Sequence, residues 1–304
     1  MGSMVYYGFR LSLRPRLNLR MVRALCSIEP GGSRLQILEQ VDKELASGND
    51  VAALSLARDL QGKPGGLRCF GAARQIPQRL YTLDELKLNN IDTLSLLSPV
   101  DATLGSIERN LQVAAVLAGI SAWVAFGLTQ QQILLLSLGL LFLWSLDLHE
   151  AGHFIIAYLL GILPKGYTLS SLEALRKEGS LNVQAGTAFV DFEFVEEVNK
   201  GKVSAQMLNR FSCIALAGVA TEYLLFGCAE GGLADIDKLD RLLKGLGFTQ
   251  KKADSQVRWA VLNIVLLLRR HEGARSKLAE AMSMGRSVGF CIDTIEKAID
   301  DVEI

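Results

Sequence analysis

The sequence predicts a mainly α-helical protein in which a membrane helical hairpin leads into a helical domain with a small β element. Three observations carry that expectation. Apolar residues recur at helical spacing on both sides of the chain's middle. From Asn110 to Leu146 runs a stretch of 37 positions without one charged residue. Just beyond it stand His149-Glu150-Ala151-Gly152-His153, the pattern H-E-x-x-H, in a chain that holds only 3 histidines. On a helix, residues four apart share a face, so both imidazoles would point at one metal ion with Glu150 beside them.

Composition sets the limits. Half of the 304 residues are hydrophobic, and mean hydropathy is +0.26, high for a purely soluble protein. Lys+Arg and Asp+Glu each total 32, so no global field favours nucleic acid or another polyanion. The five cysteines, Cys26, Cys69, Cys213, Cys228 and Cys291, are odd in number and never in C-x-x-C. That fits small apolar residues in a reducing compartment, and neither a disulfide framework nor a cysteine zinc site.

Met1 to Ile28 contains no acid and five arginines, Arg10, Arg14, Arg16, Arg20 and Arg23. This composition reads as an organelle transit peptide over residues 1–28, with Ala24-Leu25-Cys26 as a small-residue processing region; a disordered basic tail would share it. Residues 29–108 form an N-terminal helical region. In it Ser33 to Ala46 and Val51 to Leu60 make an αα-hairpin turned by Gly48-Asn49-Asp50. Lys63-Pro64-Gly65-Gly66 then interrupts the chain, and Thr82-Leu-Asp-Glu85 is a capping box that opens a short helix.

Residues 109–148 are the membrane hairpin. The charge-free run divides at Thr129-Gln130-Gln131-Gln132 into Leu111 to Leu128 and Ile133 to Leu148. Crossing the hydrocarbon core takes about 17–25 helical residues. The first segment just reaches that, and the second does so if its helix continues through the zinc motif to about Leu160. Two buried helices of a soluble core are the competing reading.

Past Leu163-Pro164-Lys165-Gly166, hydropathy falls. Asn182 to Val195 alternates Phe189, Phe192 and Phe194 with Asp191 and Glu193, which predicts a strand or hairpin; Phe189 to Val195 reads as a plain core hairpin first and as an edge for an extended substrate second. Val203 to Phe226 reads as one long helix rich in small residues. Gly227 to Gly232 ends it, and Ala234 to Leu246, Gln250 to Arg270, Ala274 to Met284 and Val288 to Asp300 complete a helical carboxyl half.

Catalytic zinc needs three protein ligands and an open position for water. His149 and His153 supply two, and Glu150 is placed to serve as general base. His271, between Arg270 and Glu272 at a helix end, reads as a solvated histidine held by the helix dipole. The acidic candidates for the third ligand are Glu222, Glu230, Asp235, Asp237 and Asp240.

Three stretches together carry a resemblance. His149-Glu-Ala-Gly-His153, then Leu216-Ala-Gly-Val-Ala-Thr-Glu-Tyr-Leu-Leu-Phe-Gly227, then Gly232-Leu-Ala-Asp235-Ile236 resemble, in order and approximate spacing, the peptidase domain of the FtsH family, peptidase family M41. The similarity covers about residues 145 to 300. It implies a zinc metallopeptidase domain over 149–304 that hydrolyses peptide bonds, with His149, His153 and Asp235 as Zn2+ ligands and Glu150 as catalytic residue. Glu222 falls on the acidic position of the long helix and is the runner-up ligand.

With its basic amino terminus and membrane run, the arrangement resembles the plant and algal chloroplast FtsH-like proteins that lack the AAA+ ATPase domain. No G-x-x-x-x-G-K-[ST] occurs in the chain, so it has no phosphate cradle of that kind. The resemblance implies a thylakoid or envelope membrane, a stromal catalytic domain, a protein or peptide substrate and an ATPase or other membrane complex acting in trans. Two other readings stand beside it, a catalytically inactive FtsH-like scaffold and a site-2-type intramembrane protease. The latter lacks support at Asp235-Ile-Asp237, which has no following glycine.

Overall fold

Helices dominate the chain because most apolar residues sit three and four apart, so each segment buries one stripe. The computed structural model describes residues 34–63, 65–97, 148–168, 186–229 and 232–299. All belong to one compact unit spanning Arg34–Ile304. The expected transit peptide (1–28) and the charge-free run 110–146 lie outside the described residues. Among the described residues, no helix is long and apolar enough to cross a membrane.

The amino-terminal hairpin comprises α1 (Arg34–Ala46) and α2 (Asp50–Leu60). Asn49 starts α2, its side chain accepting from Ala52 N, and Gly48 takes the left-handed turn at φ +76°. The hairpin buries Leu38, Val41 and Leu45 from one helix and Ala53, Leu54 and Ala57 from the other. Next come α3 (Leu83–Leu88) and α4 (Thr93–Leu97). The capping box that opens α3 is complete, with Thr82 accepting from Glu85 N and Glu85 accepting from Thr82 N.

Helix α5, residues 148–159, carries the H-E-x-x-H motif and is buried along nearly its whole length. It leads into β1 (Pro164–Thr168), which pairs antiparallel with β2 (Gly186–Phe189) in a two-stranded sheet. After it the chain forms α6 (Phe192–Asn199), α7 (Ala205–Ala215), α8 (Ala217–Phe226), α9 (Leu233–Gly245), α10 (Gln250–Arg270), α11 (Glu272–Ser283) and α12 (Val288–Ala298).

Two expectations about this half need correction. The strand ends at Phe189, and Phe192 to Val195 is helical. A helix sends Phe194 inward to stack on Phe211, with ring centroids 3.8 Å apart, and leaves Phe192 and Val195 exposed. The alternation of acidic and aromatic residues over Asp191 to Phe194 therefore reflects one inward phenylalanine, with no pleat behind it. The predicted helix from Val203 to Phe226 is two helices broken at Leu216, whose φ −95° and ψ 2° lie in the bridge region. The break has a use at the site described below.

The amino-terminal hairpin is joined to the last helix. Asp42 Oδ1 accepts from Gly289 N at 2.7 Å, and Arg34 Nε donates to the buried Asp293 at 2.8 Å. Helix α5 is tied to the same helix at its far end, where Tyr158 donates to Glu296 Oε1 at 2.6 Å. Backbone bonds from Gly71 N to Tyr158 O and Ala73 N to Leu159 O satisfy carbonyls of its last turn.

Candidate metal centre

Helical spacing places His149 and His153 one turn apart on α5, both buried. Their outer nitrogens are each committed. His153 Nδ1 lies 2.7 Å from the Ile214 carbonyl oxygen, which can only accept, so Nδ1 carries the proton. That carbonyl lies at the α7–α8 break; in an unbroken helix it would accept from Gly218 N. His149 Nδ1 lies 2.7 Å from Glu222 Oε1, and a carboxylate likewise fixes the proton on Nδ1.

With Nδ1 protonated on both rings, both Nε2 atoms present lone pairs, and they face each other at 3.1 Å. Asp235 Oδ2, from the first turn of α9, completes the group at 3.3 Å from His149 Nε2 and 3.1 Å from His153 Nε2. Its other oxygen is 3.3 Å from Lys238 Nζ. Burial alone would raise the Asp235 carboxyl pKa, but hydrogen bonds with His149 and His153 outweigh it and hold the group far below the usual carboxylate range. With both rings neutral these are three acceptors, so the cluster needs a positive charge between them: a metal ion or, without one, a proton on an imidazole Nε2. Burial lowers the His149 pKa, but hydrogen bonds with Asp235 and Glu222 outweigh it and raise it to about 10.

The donor set fits zinc. Ligand atoms held at ~2.0–2.1 Å from one tetrahedral ion stand ~3.3–3.4 Å apart, and the three edges here are 3.1, 3.1 and 3.3 Å. Gly218 on α8 keeps the space beneath them open, since a Cβ there would run into Nε2 of both histidines. Gly152, on the turn between the ligands, lets α8 approach, because a Cβ would meet Thr221 Oγ1 and lie 3.0 Å from the Ala217 carbonyl. Small residues at both crossing points bring the two backbones together.

The remaining candidates fall elsewhere. Glu222, the runner-up ligand, sits on the far nitrogen of His149, and its contact there orients the ring. Glu150 is buried on α5, and Thr187 of β2 donates to its Oε2 at 2.7 Å. His271, expected in solvent, is buried between α10 and α11. Asp237 is exposed, Asp240 pairs with Lys244 at 2.6 Å, and Glu230 lies outside the described residues. Cys69, Cys213 and Cys291 are buried free thiols whose pKa burial pushes up to about 12.

Three contributors escape sequence reading: Thr187, the Ile214 carbonyl and the vacancy at Gly218. Only Gly218 leaves a signal, as one small residue among several on its helix. Compared with known proteins, the chain matches no family model, no curated protein and no solved structure.

Proposed function

We propose that this protein is a membrane-anchored zinc metallopeptidase of the FtsH-like type that works without an ATPase of its own. The observation that carries the reading is the convergence of His149 Nε2, His153 Nε2 and Asp235 Oδ2 at the spacing of three ligands of one ion, beside a buried Glu150. His149, His153 and Asp235 are the groups that would hold the ion. Bound Zn2+ supplies Lewis-acid polarisation of a peptide carbonyl and a water acidified to a pKa of about 7.

The chain's own groups do the rest. Glu222 and the Ile214 carbonyl keep both imidazoles in the tautomer that leaves Nε2 free. Glu150 follows His149 by one residue and precedes His153 by one turn minus a residue, so its carboxylate flanks the same face. Steadied by Thr187, it accepts a proton from water and returns it to the departing amine. Without a phosphate-binding loop of the G-x-x-x-x-G-K-[ST] type, substrates are unfolded or partner-delivered chains. An ATPase acting in trans is a suitable supplier. The anchor is the run 110–146, and the acid-free, arginine-rich amino terminus argues for a plastid membrane.

Glu150→Gln tests the assignment. Zinc content should remain at the wild-type level while casein hydrolysis falls about 10²- to 10⁴-fold, the usual contribution of a general base. Proteolysis that survives the change would overturn Glu150 as base. Wild-type protein that binds one zinc through His149 and His153 yet cleaves nothing, with or without an ATPase partner, would favour the scaffold reading.

A further inference from the structure

The two helices of the metal centre run antiparallel, and this sets the end of α8 beside the start of α5. His153 meets the Ile214 carbonyl, Gly152 meets Ala217 and Thr221, and His149 meets Glu222. Partner numbers rise along α8 as they fall along α5. One further turn of α8 brings Phe226 level with the start of α5 at Leu148 or beyond it. Only Asp147 separates Leu148 from the end of the charge-free run at Leu146.

The same end collects exposed apolar side chains. The Tyr223 hydroxyl accepts from Asp92 N at 2.9 Å, and Ala229 N donates to the Ser95 carbonyl at 3.1 Å. These bonds join α3 and α4 to the end of α8. On that surface Leu88 is 81% exposed, Leu94 74% and Phe226 38%, and Leu233, 54% exposed, stands at the start of α9, two residues before Asp235. Leu88 and Leu94 each stand opposite the buried leucine of a short helix, Leu86 and Leu96, so neither is an incompletely buried core residue. Arg269 borders them, donating to the carbonyls of Asn89 and Asn90 at 2.6 and 2.9 Å, with Lys87 and Arg270 exposed nearby. Asp92 is exposed on this surface as well, its carboxylate accepting from Ser95 Oγ and Leu94 N.

The chain leaves this surface at Leu97, and 12 residues, 98–109, precede the run. Extended chain covers at most ~3.3–3.6 Å per residue, so the exit lies within ~40 Å of the place where the run begins. Leucine and phenylalanine with a rim of Lys and Arg match a lipid headgroup boundary.

We propose that Leu88, Leu94, Phe226 and Leu233 form a lipid-contact face that seats this end of the fold on the bilayer. It holds the His149, His153 and Asp235 centre at the membrane surface, with access for segments that emerge from the membrane. The inference rests on reading the run 110–146 as membrane-embedded.

The test uses the full chain in lipid nanodiscs, with Cys26 and Cys228 replaced by Ser and a nitroxide attached through Leu88→Cys, Leu94→Cys, Ala118→Cys or, as an exposed control, Lys277→Cys. At positions 88 and 94, collisions with lipid-soluble oxygen should exceed those with a water-soluble nickel chelate severalfold, as at 118, with the reverse at 277. A lipid-like signal at 118 with a water-like signal at 88 and 94 overturns the face and spares the anchor. Water-like signals at 118 overturn both. Shielding of 88 and 94 from both quenchers means that protein covers the surface, which also overturns the proposal.

Discussion

Helix α5 carries a buried polar cluster at each end, and the two follow opposite logic. At its carboxyl end Glu296 accepts from Tyr158 Oη at 2.6 Å, Cys69 N at 2.8 Å and Arg68 N at 3.0 Å, with the Arg68 guanidinium 3.7 Å away. Every acceptor has a donor and the charge has a counter-charge. At the amino end, Ile214 and Glu222 take the Nδ1 protons, and three acceptors are left facing one another. The protein completes the first cluster by itself, whereas the second needs a positive charge from outside, a proton or a metal ion. Burial is common to both, so burial does not mark a site; the mismatch between donors and acceptors does.

The largest expected effect lies at the completed end. Glu296→Ala leaves two backbone N–H groups, a tyrosine hydroxyl and a guanidinium without their shared acceptor, a change that costs about 3–5 kcal/mol for a buried charge partner. Urea unfolding should show that loss, while the folded fraction keeps wild-type zinc stoichiometry. A stability change under about 1 kcal/mol would mean that water replaces the carboxylate and that the cluster is not a structural tie. Loss of zinc with stability intact would erase the distinction between the two ends.

The smaller expected effect is at the cation-requiring end. Glu222→Ala removes the group that orients His149, and outer-shell partners of this kind are worth about 10–100-fold in metal affinity. Competition with a zinc chelator should report that weakening, with one ion still bound at saturation. Complete loss of stoichiometric zinc would instead make Glu222 a ligand and displace Asp235. Gly218→Ala offers a second check, because its methyl would enter the space between the Nε2 atoms; unchanged zinc affinity would place the ion elsewhere.

The contrast also explains what is readable in the sequence. Helices α10, α11 and α12 are legible because their apolar spacing is long and regular, and α3 because its capping box is a local device. The ligand pair is legible because both histidines lie within one turn. The break at Leu216 is not, since nothing local distinguishes it from the helix on either side, and its role depends on His153, more than 60 positions away. Phe192 to Val195 misleads because four residues are too few to separate a pleat from a single inward aromatic. Thr187 is invisible for the same reason as Glu296: each acts through a partner brought by tertiary packing, and neither has a motif of its own.

The smallest effect separates completion from burial. The Thr82 capping box is as fully satisfied as the Glu296 cluster, with Glu85 also bonded by Arg79, but it stands in solvent. Thr82→Ala should cost about 1 kcal/mol, the usual value of a helix N-cap. The Arg79 hydrogen bond, followed by the Thr82 backbone amide, lowers the Glu85 pKa from 4.5 to about 2. A depressed carboxylate pKa adds stability above the unfolded value, and that contribution fades as pH falls from about 4.5 through about 2. The wild type should therefore lose the box's share across this window in acid titrations of urea midpoints, and Thr82→Ala should lose less. If Thr82→Ala costs as much as Glu296→Ala, completed hydrogen bonding alone accounts for the strength of the buried cluster. If it costs about a quarter as much, the remainder comes from desolvated donors that have no water to turn to, the same condition that makes the three facing acceptors at the other end of α5 demand an ion.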